Sequence, residues 1–489
     1  MGERYFVNVG SWAIEEDDLT ELMTDIVQDR NERDKMMRFI FLEDRQRALV
    51  SYLLKRKLAR DAIALERWLD RRLVAEDSDG GSADNTMFVS GPTPGHLTRV
   101  LELIGEFYKA RSLISSTSAS SLCHAGAVVD GESAVEEPTA SSSSARPQVG
   151  SALESYTRCV EGAPFSEMIR IERTSWGKPF LGYPRLKHTN FNFNVSHEGA
   201  FVAAASDYFA LVGVDVGAPK SARAQRTPTR KMNPTTSSAA SSTKREDAPN
   251  GVASSTVELT TSMEDLEQLQ RDFVGCLTAR EWGLVQKATL SSDTMRQTAD
   301  TETYNCFLRL WSLKESFVKA RGDGLGFDLS KCEFHIDTDE EGPTWEKIRL
   351  SLACSVATAD NGPLPINDEH LEGRKEFPPK DTGTVLRASA SVKTGSKTSD
   401  SFLPQTDWKF RQSILMSGSQ KHWISVAQGP LHTVQEDSKQ DIAGKSIKSC
   451  FVHTSFTAEH WRKVLALSPP PFVELNVAEL IESAIPAHM

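Results

Sequence analysis

No stretch of this 489-residue chain stays apolar over the roughly twenty residues that a membrane helix requires, so a membrane-spanning role is not expected. The opening residues MGERYFVNVG lack the apolar run of a signal peptide, and Phe6 stands where a myristoylation signal wants Ser or Thr. Paired cysteines are missing too. The seven present are scattered, with no CxxC pair, which argues against a zinc site or a disulfide framework and fits the reduced thiols of a cytoplasmic protein. Excess positive charge is absent: the formal net charge is −11, so general affinity for nucleic acid is not expected, and any phosphate must be handled by a local basic site. No repeat of fixed period is visible.

Apolar residues make up 39% of the chain, and the deficit is concentrated in tracts rich in Ser, Ala, Asp and Gly. These tracts, at about 76–95, 115–152, 218–262, 357–405 and 433–446, read as disordered insertions into a compact, enzyme-sized core. Between them the patterns predict strands at 4–14, 167–174, 190–197, 201–206, 210–216, 331–336, 348–356 and 421–430. Helices are predicted at 16–28, 33–73, 97–111 and 264–289, and in the last residues of the chain. Another is predicted around 311–321, with Asn305 as N-cap and Gly322 just past its end. The cations along 33–73, Lys35 and Lys55 among them, read as a solvated helical face.

Two stretches carry candidate chemistry. In NFNFNVSH, Phe191, Phe193 and Val195 alternate with Asn190, Asn192, Asn194 and Ser196. If this strand, FVAAAS and ALVGVDV form an antiparallel meander, the first and third run parallel with their ends about 10 Å apart. Ser196, His197 and Asp215 then share one rim. In WSLKESFVKARGDGLG, Glu315 and Lys319 lie at i and i+4 on one helix face, with Glu315 between Trp311 and Leu308. A carboxylate there needs a partner, and a metal ion is a good one. Each residue alone has a plainer reading: Glu315–Lys319 as a helix ion pair, Asp215 as a turn former, His197 as a structural histidine. Thr278 and Glu281 have the TxxE spacing of a helix start.

Taken together, FIFLEDRQRALVSYLLKRKLA (39–59), RIERTSWGKPFL (170–181), NFNFNVSHEGAFVAAA (190–205), VGVDV (212–216), FVGCLTAREW (273–282) and WSLKESFVKARGDGLGF (311–327) resemble the 4′-phosphopantetheinyl transferases. The likeness is to the larger, monomeric kind, of the eukaryotic aminoadipate-semialdehyde-dehydrogenase type. It implies an α+β fold of two pseudo-symmetric subdomains, 1–197 and 198–489, each a small antiparallel sheet with a long packed helix, and coenzyme A in the cleft between them. The implied reaction moves the phosphopantetheine arm of coenzyme A to a serine of an acyl or peptidyl carrier protein, with Mg²⁺, releasing adenosine 3′,5′-bisphosphate. Fatty-acid synthase, polyketide synthase and aminoadipate reductase are the carrier types left open. A non-catalytic coenzyme A or carrier-protein binder on the same fold is the alternative.

By the same resemblance, Asp215 and Glu315 hold Mg²⁺, Glu315 serves as general base, and Lys319 assists the leaving group. Asn194, Ser196 and His197 contact the nucleotide, with His197 counted among the catalytic residues. Arg173, Gly177, Lys178 and Pro179 form the turn that grips coenzyme A. Lys35 matches an arginine that reaches the 3′-phosphate, with Arg33 as the competing choice. Lys314 is assigned a structural or electrostatic role. Gly217 departs from the pattern of many bacterial members, which carry a further acid there; a water is expected in its stead.

Overall fold

The computed structural model describes residues 2–79, 94–122, 169–219, 266–291, 299–336, 348–354, 401–431, 451–467 and 470–484, and in it the two ends of the chain meet in one sheet. Strand β1 (Arg4–Asn8) pairs in antiparallel fashion with β5 (Phe201–Asp207) and in parallel with β12 (Val473–Glu474), while β4 (Asn192–Glu198) extends the sheet beyond β5. The expected division at residue 197 falls inside the β4–β5 hairpin. Two helices, α1 (Glu16–Ile26) and α2 (Arg30–Met37), precede the long α3 (Leu42–Asp79), which packs on β4 and β5. Leu49, Leu53, Leu54, Leu58, Leu65 and Leu69 of α3 are buried against Val7, Phe193, Val202 and α4 (Pro94–Leu122).

The second half is built around α6. It follows α5 (Ala279–Ser291), spans Ala299–Arg321, and lies on the sheet β10 (Lys409–Ser417), β11 (Gln420–Gly429), β6 (Leu211–Gly217). Ser312, Ser316 and Ala320, one turn apart, are fully buried and form the stripe that touches this sheet; Ser312 Oγ lies 2.6 Å from Ser425 Oγ. Gly213 makes the close approach possible, since a Cβ there would meet the Ser316 carbonyl oxygen at 2.0 Å. Phe307, Leu310, Leu313 and Phe317 fill a second core with Phe334 and with Phe410 of β10. Here lie β7 (Cys332–Ile336), β8 (Ile348–Cys354) and β9 (Ser401–Gln405). The described elements also include a hairpin of β2 (Arg170–Arg173) and β3 (Pro179–Tyr183) and the helices α7 (Ala458–Ala466) and α8 (Val477–Glu482). Small sheets covered by helices make this an α+β chain. Among the described residues no helix is long and apolar enough to cross a membrane.

Four expectations are corrected. The helix expected over 33–73 breaks at 38–41, where the Phe39 amide bonds back to Met36 and Arg45 Nε donates to the Phe39 carbonyl. Asn305 is no cap, because α6 begins earlier at Ala299; Gly322 does follow the helix, with φ +83° and its amide on Val318 O. The edges of three expected insertions are regular structure: α3 runs to Asp79, α4 to Leu122, and β9 occupies 401–405, while 80–93, 123–152, 220–262, 357–400 and 433–446 lie outside the described residues. Lastly, β6 does not pair with β5. Its backbone pairs with β11 on one edge. On the other it receives side chains of β4: the amides of Val212, Val214, Val216 and Ala218 donate to Asn192 Oδ1, Asn194 Oδ1, Ser196 Oγ and Glu198 Oε2 at 2.9, 3.1, 3.2 and 2.8 Å. The constant offset of twenty residues in that ladder makes β4 and β6 parallel.

Two buried polar groups yield predictions. Lys314 and Glu281 are both fully buried and lie 2.6 Å apart; Lys314 also donates to Leu329 O and Cys332 O, and Glu281 accepts the amides of Thr278 and Phe334. Lys314→Met strands the Glu281 carboxylate, and urea denaturation should show a loss of about 3–5 kcal/mol; a loss under about 1 kcal/mol would contradict this account. His453 is buried, bonded through Nε2 to His188 O at 2.8 Å and stacked on His96; burial, opposed by that hydrogen bond and reinforced by His96, His188 and His460, lowers its pKa to about 4. The unfolded chain therefore binds a proton that the folded chain refuses. Its contribution is complete above about pH 6.5 and is lost as pH falls towards 4, by up to about 3 kcal/mol. His453→Gln should flatten that part of a Tm-against-pH curve, and an unaltered curve would count against it.

Candidate functional site

Alternation in VGVDV decides which way Asp215 faces. Val212, Val214 and Val216 enter the core between the two sheets with Phe201, Ala203 and Val426, so Gly213 and Asp215 face α6. Glu315 and Lys319 precede Ser316 and Ala320 of the contact stripe by one residue, which places them at its margin, beside Asp215. Lys319 Nζ lies 2.5 Å from Asp215 Oδ1 and 3.0 Å from Ser196 Oγ, and the Ser196 hydroxyl donates to Asp215 Oδ1 at 3.1 Å. Asp215 is only 5% exposed. Ser196 and Asp215 thus meet, although through the side-chain ladder and not through a meander; Lys319 joins them, while His197 bonds to Ser51.

Glu315 is half-buried, and among the described residues no hydrogen bond or ion pair engages it. Burial raises its pKa, Lys319 opposes this, and Asp215 adds to it, so the two carboxylates feel each other. That pair is what a hard divalent cation uses: two carboxylate oxygens, with the remaining positions open to ligand oxygens and water. Among the described residues no cluster of three acids, histidines or cysteines offers a fuller set. The donor set fits a cation such as Mg²⁺ that keeps most of its shell for a phosphate ligand.

A cavity of ≈ 290 Å³ opens from Lys319 between the two halves of the chain. Its walls come from α3 (Ser51, Lys55), the β2–β3 turn (Arg173 and Trp176 to Pro179), β4 (Asn194, Val195, His197), and the end of α6 with the glycines after it. Lys55, on a helix face expected to be solvated, lines this cavity; burial first, then Arg173 and the other nearby cations Arg56 and Lys35, with Glu32 opposing, takes its pKa to about 8. The signal that could have found it is its i+4 relation to Ser51, a small polar residue in the buried run Leu49–Leu54. Arg173 is exposed, and its guanidinium also closes the turn on Gly177 O at 3.0 Å. Of the competing pair, Arg33 turns back to Thr24 O and Val27 O, whereas Lys35 pairs with Glu32 and belongs to the Lys55–Arg173 group of charges. Neither lines the cavity.

His197 Nδ1 lies 3.2 Å from Ser51 Oγ. Burial of the ring, then Arg47 and Lys319, lowers its pKa, so the imidazole is neutral at pH 7. Asn194 spends its carbonyl on Val214, so its place in the wall is structural as well. Gly177 takes φ +84° in the turn, and Pro179 is buried behind it. Lys178 departs most from expectation. It is 5% exposed, and its ammonium donates to Val212 O, Lys319 O and Ala320 O at 3.0, 2.9 and 2.5 Å.

Comparison with known proteins places two matches around this site. Residues 259–357 match the model of the 4′-phosphopantetheinyl transferase superfamily, and 153–209 that of the 4′-phosphopantetheinyl transferase N-terminal region. The L-aminoadipate-semialdehyde dehydrogenase-phosphopantetheinyl transferase of Xenopus laevis is 31% identical over 42% of this chain and 53% of its own length. The human protein of that name is 29% identical over 38% and 45%. A phosphopantetheinyl transferase from a Thraustochytrium species is 26% identical over 35% and 44%. The chain thus spans about half the length of the relatives it matches.

Proposed function

We propose that this chain, as a relative of the 4′-phosphopantetheinyl transferase superfamily, moves the 4′-phosphopantetheine arm of coenzyme A to a serine of a carrier-protein domain, with Mg²⁺, in the cytoplasm. The observation that carries this reading is the meeting of Asp215, Ser196 and Lys319 beside the unpartnered Glu315, at one end of a cavity walled by cations. Lys55 and Arg173 give an acidic chain the local positive potential that a ligand with three phosphates needs. A divalent cation on Asp215 and Glu315 would supply charge neutralisation at the pyrophosphate.

The protein's own groups have separable tasks in this reading. Glu315, with a pKa above the ordinary carboxylate range, takes the proton of the carrier serine as its oxygen attacks phosphorus. Lys319 faces the negative charge that builds on the departing adenosine bisphosphate. Ser196 holds both Lys319 and Asp215 and is itself held by the Val216 amide. His197, neutral, offers a hydrogen bond in place of a charge.

The test is mass spectrometry of candidate carrier domains, of the fatty-acid synthase, polyketide synthase and aminoadipate reductase types, after incubation with coenzyme A and Mg²⁺. The expected result is a mass gain of one phosphopantetheine arm. Glu315→Ala should lower kcat/KM roughly 10²-fold or more, and full activity in that variant would remove Glu315 from the mechanism. Coenzyme A binding with no modified serine on any carrier would point instead to a binding module.

A further inference from the structure

We propose that Lys178 is a positioning residue, whose ammonium clamps the C-terminal turn of α6 to β6 and so sets where Lys319 stands. The kinetic part of this inference rests on the transferase reading above; the clamp itself does not.

An ammonium has three protons to donate, and here each has a backbone acceptor. Val212 O belongs to β6, three residues before Asp215, and Lys319 O and Ala320 O belong to the last turn of α6. Lys178 itself is anchored in the β2–β3 turn, where its carbonyl accepts the Thr174 amide at 2.9 Å and its own amide donates to Thr174 Oγ1 at 3.1 Å. One side chain therefore ties three elements together. No proton is left over for a ligand, so the cation of the GKP turn does not grip coenzyme A.

The location gives the clamp its consequence. The end of a helix leaves carbonyls without partners and carries partial negative charge. The end of α6 borders a cavity proposed to bind phosphates, and an open row of carbonyls there would repel them. Lys178 covers two of those carbonyls. It also fixes the backbone of Lys319, whose Nζ must reach Ser196 and Asp215 from that turn. Gly322 completes the fit: its φ of +83° ends the helix, and a Cβ there would lie 3.2 Å from Lys178 Cδ. Asp323, ion-paired with Arg321 at 2.6 Å, is the acid near the clamp.

If Lys178 acts through Lys319, the two substitutions cannot have independent effects. Lys178→Met should lower kcat at least tenfold in the wild-type background, with KM for coenzyme A changed less than threefold. In the Lys319→Ala background the same substitution should cost less than twofold. Costs that multiply, or a tenfold rise in KM with kcat intact, overturn the proposal, the latter by showing a ligand contact. Should Lys178→Met not fold, Lys178→Arg enters the same cycle under the same criteria. If the wild-type protein transfers no arm to any carrier, the transferase reading has failed by itself. The clamp is then decided by hydrogen exchange: the Gly322 amide, bonded to Val318 O at 2.8 Å, should exchange at least tenfold faster in Lys178→Met, and an unchanged rate overturns it.

Discussion

The site depends on a strand edge that is satisfied by side chains. Strand β6 has a backbone partner on one side only, and its other row of amides is answered by Asn192, Asn194, Ser196 and Glu198 of β4. A buried amide without an acceptor costs about 1–3 kcal/mol, so four in a row could not be left unmet. The register of β6 against β4 is thereby set by side-chain length and alternation, not by a turn. Ser196 is both a rung of this ladder and a partner of Asp215 and Lys319. The joint that holds the two halves together is thus the same joint that orients the reactive groups.

Around it, lysines with the same chemistry do different work because the helix turns by about 100° per residue. Lys319 and Glu315 share the margin that borders Asp215. Lys314, one residue before Glu315, is rotated into the second core, where Glu281 meets it in a fully buried pair. That pair resists rotation of α6 about its axis, since any roll would separate two charges in an apolar surround. Lys178 approaches the same helix from outside and holds its end. Axial roll and terminal position are constrained by separate cations, and Lys319 is left with its charge directed at the site.

Much of this was legible in the sequence, and the losses have physical causes. The alternation of NFNFNVSH marked β4 correctly, and the i, i+4 spacing put Glu315 and Lys319 on one face. What alternation cannot tell is whether a polar face meets water or another strand; here Asn192 and Asn194 are buried and bonded. The meander failed because the partner of β6 is β11, where Val214 stands opposite Val426, and no local pattern announces a pairing across two hundred residues of chain. Lys55 vanished into a series of helix cations because the cavity edge it occupies is made by β4 and the β2–β3 turn.

Lys178 shows most clearly that a motif can mark a site without showing where a side chain within it finds its partners. A cation in a GKP turn beside a phosphate cavity looks like a ligand contact, because sequence shows charge but not direction. Direction is decided by competition between the ligand and the nearest unfilled acceptors. The end of α6 offers carbonyls at hydrogen-bond distance whether or not a ligand is present, and a buried ammonium cannot wait for one without them. Burial takes the Lys178 pKa down to about 7, with Asp323 opposing, and the carbonyls of Val212, Lys319 and Ala320 accept its hydrogen bonds. In the proposed clamp, a cation so placed offsets the partial negative charge of the helix end beside a cavity that Lys55, Arg173 and Lys319 also line.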